Sequence, residues 1–267
     1  MTLIDGMPAD VVSANDRGLL YGDGVFRTLK RAGGVSLCWA RQYRKLAADC
    51  AALHLICPDA EVLEAELERL PLDCVAKIIV TRGSAARGYA VVPDALPTRI
   101  VTSSPLPLYP QSHATLGVKV HLCSLRLSSQ PRLAGIKHLN RLENVLARME
   151  WNDPAVAEGI LLDMEDGVIE GTMSNVFCYR AGVLHTPDLS CSGVAGVQRE
   201  RILGFAAELG VAVRVGQLPL GVLMEAEEIM LCNSVIGVWP VCEFNGRVWQ
   251  AGGLAMQLRR LLEERDD

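Results

Sequence analysis

CVAKIIVT (74–81) is a short run of apolar and β-branched residues broken by Lys77, whereas apolar residues recur at helical spacing through ARQYRKLAADCAAL (40–53). The first pattern predicts a strand and the second a helix. Around them, VFRTLKRAGGVSLC (25–38) reads as a hairpin turning at Gly33-Gly34, DAEVLEAELERL (59–70) as a helix capped by Asp59, and TRIVTS (98–103) as a further strand. Prolines and turn formers then crowd PLPLYPQSHATLG (105–117). Beyond them the strand period restarts in VKVHLC (118–123), HLNRLENVLARME (138–150) reads as a helix, and residues 157–186 form a run of short strands. QRERILGFAAELG (198–210) predicts another helix, EIMLCNSV (228–235) a strand, and LAMQLRRLLEERDD (254–267) a closing amphipathic helix.

This order implies an α/β chain with α+β elements in two domains. An N-terminal α+β domain is expected over 1–108, a connection over 109–115 and a C-terminal α/β domain over 116–267. The order does not suit a TIM barrel, and no internal repeat is evident.

With 267 residues, half of them apolar, the chain is long enough for one large or two modest cores. The net charge of -5 comes without a clustered basic stripe, which argues against nucleic-acid binding and for small-molecule chemistry. The start MTLIDGMPAD lacks the basic and apolar blocks of a secretion signal, and charges break the later apolar runs, so a cytoplasmic protein without membrane attachment is expected. Nine cysteines without a CxxC pair read as buried thiols rather than a metal cluster or a disulfide framework. The five histidines show no ligand spacing and no serine sits in a nucleophile elbow, so no metal site is expected.

Only five lysines are present, at 30, 45, 77, 119 and 137. Lys137 lies at a loop-to-helix junction in AGIKHLNRLENV, where burial could keep a reactive amine partly neutral. On residues alone, this lysine could equally be structural.

Seven ordered segments change that balance. YGDGVFRTL (21–29), RQYRKL (41–46), TRGSAARGY (81–89), GIKHLNRLENVLAR (135–148), VIEGTMSNVF (168–177), CSGVAGVQR (191–199) and LCNSVIGVWPV (231–241) closely resemble the fold type IV pyridoxal-phosphate family, and within it the aminodeoxychorismate lyases. The resemblance spans almost the whole chain.

It implies that Lys137 binds the aldehyde of pyridoxal 5'-phosphate and, once a substrate amine displaces it, moves the substrate proton. Glu170 would pair with the pyridine nitrogen. Arg44, the Gly196-Val197-Gln198 turn and Ser234 would take the phosphate, the turn through helix amides. Thr28 would lie near the reacting side of the cofactor, although a strand-stabilising role is open. Asn175 and Thr172 would order their turn, and His138 would brace the fold.

The implied reaction converts 4-amino-4-deoxychorismate to 4-aminobenzoate and pyruvate by elimination. Its two carboxylates suit forked or ammonium donors, which makes Arg82, Arg87 and Lys30 candidates for substrate binding, although either arginine could equally support its loop through hydrogen bonds, with Tyr109 positioning the ligand or packing. A branched-chain or D-amino-acid aminotransferase of the same fold is the alternative. The resemblance further implies a homodimer with its active site at the domain cleft.

Overall fold

The computed structural model describes residues 1–91 and 95–265, so the last two residues of the expected C-terminal helix lie outside the described residues. The described residues divide into two compact units: one holds those of 1–107 and 136–140, the other 108–135 and 141–265.

In the first unit, β1 (Thr2–Ile4), β2 (Met7–Pro8), β3 (Gly24–Ala32), β4 (Val35–Ser36), β5 (Cys74–Thr81) and β6 (Arg99–Ser104) form an antiparallel sheet in the order β2-β1-β6-β5-β3-β4. β5 occupies the range expected for CVAKIIVT, and β3 and β4 flank the expected Gly33-Gly34 turn. A short α1 (Arg17–Tyr21) precedes β3. α2 (Trp39–Ala52) and α3 (Ala60–Glu68) supply Leu46, Cys50, Leu63 and Leu67 to a core with Leu3, Val25, Leu29, Ile78 and Val101 of the strands. Asp59 stands before α3 as expected, but its side chain makes no capping hydrogen bond.

Strand alternation gives this sheet two different faces. Val25, Arg27, Leu29 and Arg31 point into the buried side, while Phe26, Thr28 and Lys30 share the half-buried side with their cross-strand neighbours Ile79, Lys77 and Val75.

Residues 136–140, expected in the second domain with a helix starting at His138, belong to the first unit. Phe26 N–H donates to the Lys137 carbonyl at 2.9 Å and Leu139 N–H to that of Gly24 at 2.9 Å. Ile136 completes the apolar core. With the backbone held this way, the helix begins only at Leu142.

The second unit contains α4 (Ser112–Thr115), β7 (Val118–Leu127), α5 (Leu142–Arg148), β8 (Val156–Asp163), β9 (Val168–Gly171), β10 (Asn175–Arg180), β11 (Val183–Pro187), α6 (Val197–Glu208), β12 (Ala212–Gly216), α7 (Leu220–Met224), β13 (Glu228–Asn233), β14 (Gly237–Phe244), β15 (Arg247–Val248) and α8 (Gly253–Glu264). α4 falls where a plain connection was expected. β12, a short alternating AVRVG, was not anticipated.

The mixed sheet runs β12-β11-β10-β13-β14-β7-β8-β9, and β9 also pairs with β10 through Glu170 and Asn175. That pairing closes a six-stranded barrel at Glu170, a residue of the expected site, and Asn175, expected to order its turn. Val176 and Cys178 of β10 and Ile229 and Leu231 of β13 share one apolar cluster with Val120, Ile160, Val168 and Phe244. The alternate residues Phe177, Met230 and Cys232 pack instead with Ile202 and Phe205 of α6 and Leu254 and Leu258 of α8. Among the described residues no helix is long and apolar enough to cross a membrane.

Candidate active site

Each unit carries its own part of the chemistry. In the first, the Lys137 backbone is fixed from both sides: its carbonyl takes the Phe26 N–H, and its N–H donates to Asp49 Oδ2 at 3.1 Å. The side chain brings Nζ to 4.7 Å from the centre of the Phe26 ring. Lys77, directly across from Thr28 on β5, places its own Nζ 4.6 Å from the same ring. An aromatic face attracts a cation. Two ammonium groups at one ring nevertheless repel each other, which favours an anion beside them. Burial lowers the Lys77 ammonium from its ordinary range.

Lys77 was not among the expected site residues. Its signal was a single cation in an otherwise apolar strand, whose facing is decided by the pairing of β3 with β5. Lys30 is two positions from Thr28 on the same face, opposite Val75.

Arg82 makes the hydrogen-bonded support that was the alternative to substrate contact. Its guanidinium grips Asp23 through Nε at 2.8 Å and Nη2 at 3.0 Å and donates to the carbonyls of His54 and Leu53, both at 2.8 Å. Burial raises the Asp23 carboxyl, but hydrogen bonds from Arg82 and Arg17 bring it below its ordinary value. Arg82 is therefore a brace between the start of β3 and the end of α2, with its fork already filled. Arg87, on the same loop, is exposed. Arg44 is exposed on α2, while the adjacent Lys45 is half-buried.

In the second unit, Glu170 is buried at the closing edge of the barrel, and its Oε2 accepts the Val194 N–H at 2.8 Å. Gly193 makes this approach feasible: it adopts a φ of +80°, and a Cβ there would stand 2.8 Å from Ile169 Cγ2. Asn175 holds the next part of the loop, donating to the Val194 carbonyl at 2.7 Å and accepting the Gly196 N–H at 3.2 Å. A Cβ on Gly196 would meet Asn175 Oδ1 at 2.4 Å, so only glycine fits. The loop thereby delivers the chain into α6 with Gly196 at its cap and Val197 and Gln198 in its first turn. The first intrahelical bond there is donated by Glu200, leaving the preceding amides outside the helix's own ladder. Gln198 Oε1 accepts from Arg201 at 2.9 Å, which turns its side chain to a structural use.

The turn after Glu170 is anchored by a residue that the sequence did not single out. Glu158 accepts from Thr172 and Met173 N–H, each at 3.1 Å, and from Ser174 Oγ at 2.9 Å. Thr172 Oγ1 also donates to it. Burial nonetheless raises this carboxyl above its ordinary value. Thr172 and Asn175 thus order the turn and loop, as expected. Asn233 Nδ2 donates to the Met173 carbonyl at 3.0 Å and its Oδ1 accepts the Val235 and Ile236 amides at 2.8 and 2.9 Å, shaping the turn that carries Ser234. Tyr109 packs edge-on against Trp239 at 4.8 Å.

The sequence profile of the class IV amino-transferases matches residues 24–244. The chain belongs to this family, whose members are pyridoxal-phosphate enzymes of fold type IV. Within it, the chain is similar to the crystallised 4-amino-4-deoxychorismate lyase of Pseudomonas aeruginosa, with 43% identity and a TM-score of 0.95 over 99% of this chain and 98% of that one. The aminodeoxychorismate lyase of Vibrio harveyi is 35% identical over 244 residues, covering 90% of each chain. The Escherichia coli branched-chain amino acid aminotransferase shares the fold, with a TM-score of 0.86 at 19% identity over 99% of this chain and 94% of that one.

The residues present fit pyridoxal phosphate. A buried carboxylate suits a protonated pyridine nitrogen, helix amides outside their own ladder suit a phosphate, and a lysine amine suits an aldehyde.

Proposed function

We propose that the chain is an aminodeoxychorismate lyase, releasing 4-aminobenzoate and pyruvate from 4-amino-4-deoxychorismate. The observation that carries this reading is the similarity to the P. aeruginosa lyase at 43% identity over nearly both full lengths, since the fold itself is shared with aminotransferases. Lys137 holds the cofactor aldehyde and, when the substrate amine takes its place, removes the proton from substrate C4. Glu170 keeps the pyridine nitrogen protonated. Pyridoxal phosphate, when bound, supplies the ring that draws electrons from the bond being broken. The α6 amides at Val197 and Gln198 bind the phosphate with Ser234, and Arg44 or Lys45 adds positive charge.

Lys77, Lys30 and Arg87 supply cations for the two substrate carboxylates, and Thr28, between Lys30 and Phe26, stands beside the reacting group. The filled fork of Arg82 removes it from this set. Tyr109 positions the substrate. The protein works as a homodimer, a reading supported by the exposed Leu142, Val145 and Met149 along α5. Purified protein given 4-amino-4-deoxychorismate alone should release pyruvate and 4-aminobenzoate in equal amounts. Product formed only after a keto acid is added would assign the chain to the aminotransferases instead.

Lys77→Met separates function from stability. The lowered folded-state value means that the ammonium disfavours folding at neutral pH, a penalty relieved as pH rises from the folded value toward 10.5. The substitution should therefore raise the melting temperature slightly at pH 7, with the gain shrinking in alkaline buffer, while raising KM for the substrate. An unchanged KM would remove Lys77 from the carboxylate set.

A further inference from the structure

The least expected charges in the first unit lie beneath Lys137. Strand alternation puts Arg27 on the core side of β3 between Val25 and Leu29, where it is 2% exposed, and α2 presents Asp49 to it from a position 4% exposed. The two form a buried ion pair through Arg27 Nη2 and Asp49 Oδ2. Neither residue suits its location. Arg27 leaves Nε without a hydrogen-bond partner, and burial lowers the guanidinium despite the opposing pull of Asp49. Asp49 sits in the last turn of α2, where the helix dipole disfavours an acid. A well-packed apolar pair would make a more stable core at such a position.

What the pair provides is the acceptor for the Lys137 N–H, at 3.1 Å from the same Asp49 oxygen that Arg27 holds. Together with the Phe26 N–H on the Lys137 carbonyl, this fixes both peptide groups flanking the Lys137 Cα. A side chain with four rotatable carbons keeps its reach only if its root is fixed.

We propose that Arg27 and Asp49 are one positioning unit for Lys137: the carboxylate fixes the main chain from which the amine extends, and the guanidinium balances the carboxylate's charge. The proposal rests on the reading of Lys137 as the cofactor-binding lysine.

The test compares Asp49→Ala, Arg27→Met and the double variant Arg27→Met/Asp49→Asn with the wild type, all loaded with pyridoxal phosphate. Asparagine keeps an oxygen for the Lys137 N–H, so the double variant restores the acceptor without the buried charges. Two readouts apply: the rate at which borohydride fixes the cofactor to Lys137, and the exchange protection of the Lys137 amide relative to Ile78 in β5.

Asp49→Ala should slow fixation roughly tenfold or more and lose the amide protection, whereas the double variant should return to within about threefold of the wild type. kcat should follow fixation, with KM less affected. If Asp49→Ala lowers the melting temperature but leaves fixation and protection unchanged, the pair is only structural and the proposal fails. A wild-type Lys137 amide that exchanges as freely as an exposed loop would overturn it without any variant having to fold. An adduct on a different lysine would overturn the reading of Lys137 itself, and this proposal with it; a Lys137 adduct formed at the wild-type rate in Asp49→Ala overturns the proposal alone.

Discussion

Lys137→Ala should reduce product release by at least about a thousandfold while leaving the protein folded, because the amine serves both to hold the cofactor aldehyde and to move the C4 proton. The fold should tolerate the change. The Lys137 carbonyl and N–H each carry a bond that fixes segment 136–140, and alanine retains both. Its side chain contributes a cation-aromatic contact on a half-buried surface, a modest loss of about 1 kcal/mol or less. Cofactor occupancy must be measured beside activity, since a variant lacking the aldehyde-binding amine also holds its cofactor less firmly. Added methylamine should restore part of the turnover by supplying the missing amine. Turnover at the wild-type rate in Lys137→Ala would remove the lysine from the reaction.

Glu170→Gln is expected to lower turnover by roughly 10- to 100-fold with most of the cofactor retained, matching the ~1.5–3 kcal/mol of a hydrogen bond to a charged group. The amide oxygen of glutamine can still accept the Val194 N–H, so the loop through Gly193 and Gly196 keeps its course and the α6 amides stay in place. What disappears is the negative charge that favours a protonated pyridine nitrogen. Glu170→Ala should behave worse, because it also leaves the buried Val194 N–H without its acceptor and so loosens the loop into α6. Equal turnover in Glu170→Gln and wild type, at equal cofactor affinity, would contradict the assigned role.

Local pattern was sufficient for much of the fold. The short apolar, β-branched run CVAKIIVT located β5, and Gly33-Gly34 located the hairpin, because strand propensity and turn chemistry are short-range properties. The order of the family-like segments carried the readings of Lys137, Glu170 and the α6 turn. Contacts made far along the chain were not legible. Nothing in HLNRLENVLARME shows that its first residues leave the helix to join β3, which follows from bonds to Gly24 and Phe26 more than a hundred positions earlier.

The choice between substrate contact and structural support stayed open for Arg82 because its partners, Asp23 and the carbonyls at the end of α2, are distant in sequence. Asp49 offered a faint signal, an acid on the same helix face as Leu46 and Cys50, but its meaning depended on Arg27 facing the core. The barrel seam at Glu170 and Asn175 was likewise hidden, since a closing pair leaves no period in either strand.

The most direct test is chemical mapping of the bound cofactor. Protein purified with pyridoxal phosphate should show an absorption band that borohydride shifts, and digestion should then place the reduced adduct on the peptide containing Lys137. With only four other lysines in the chain, at 30, 45, 77 and 119, each alternative peptide can be scored separately. An adduct confined to Lys137 is the expected result; a reproducible adduct on any of the other four, or none in protein that turns substrate over, would contradict the assignment on which the mechanism stands.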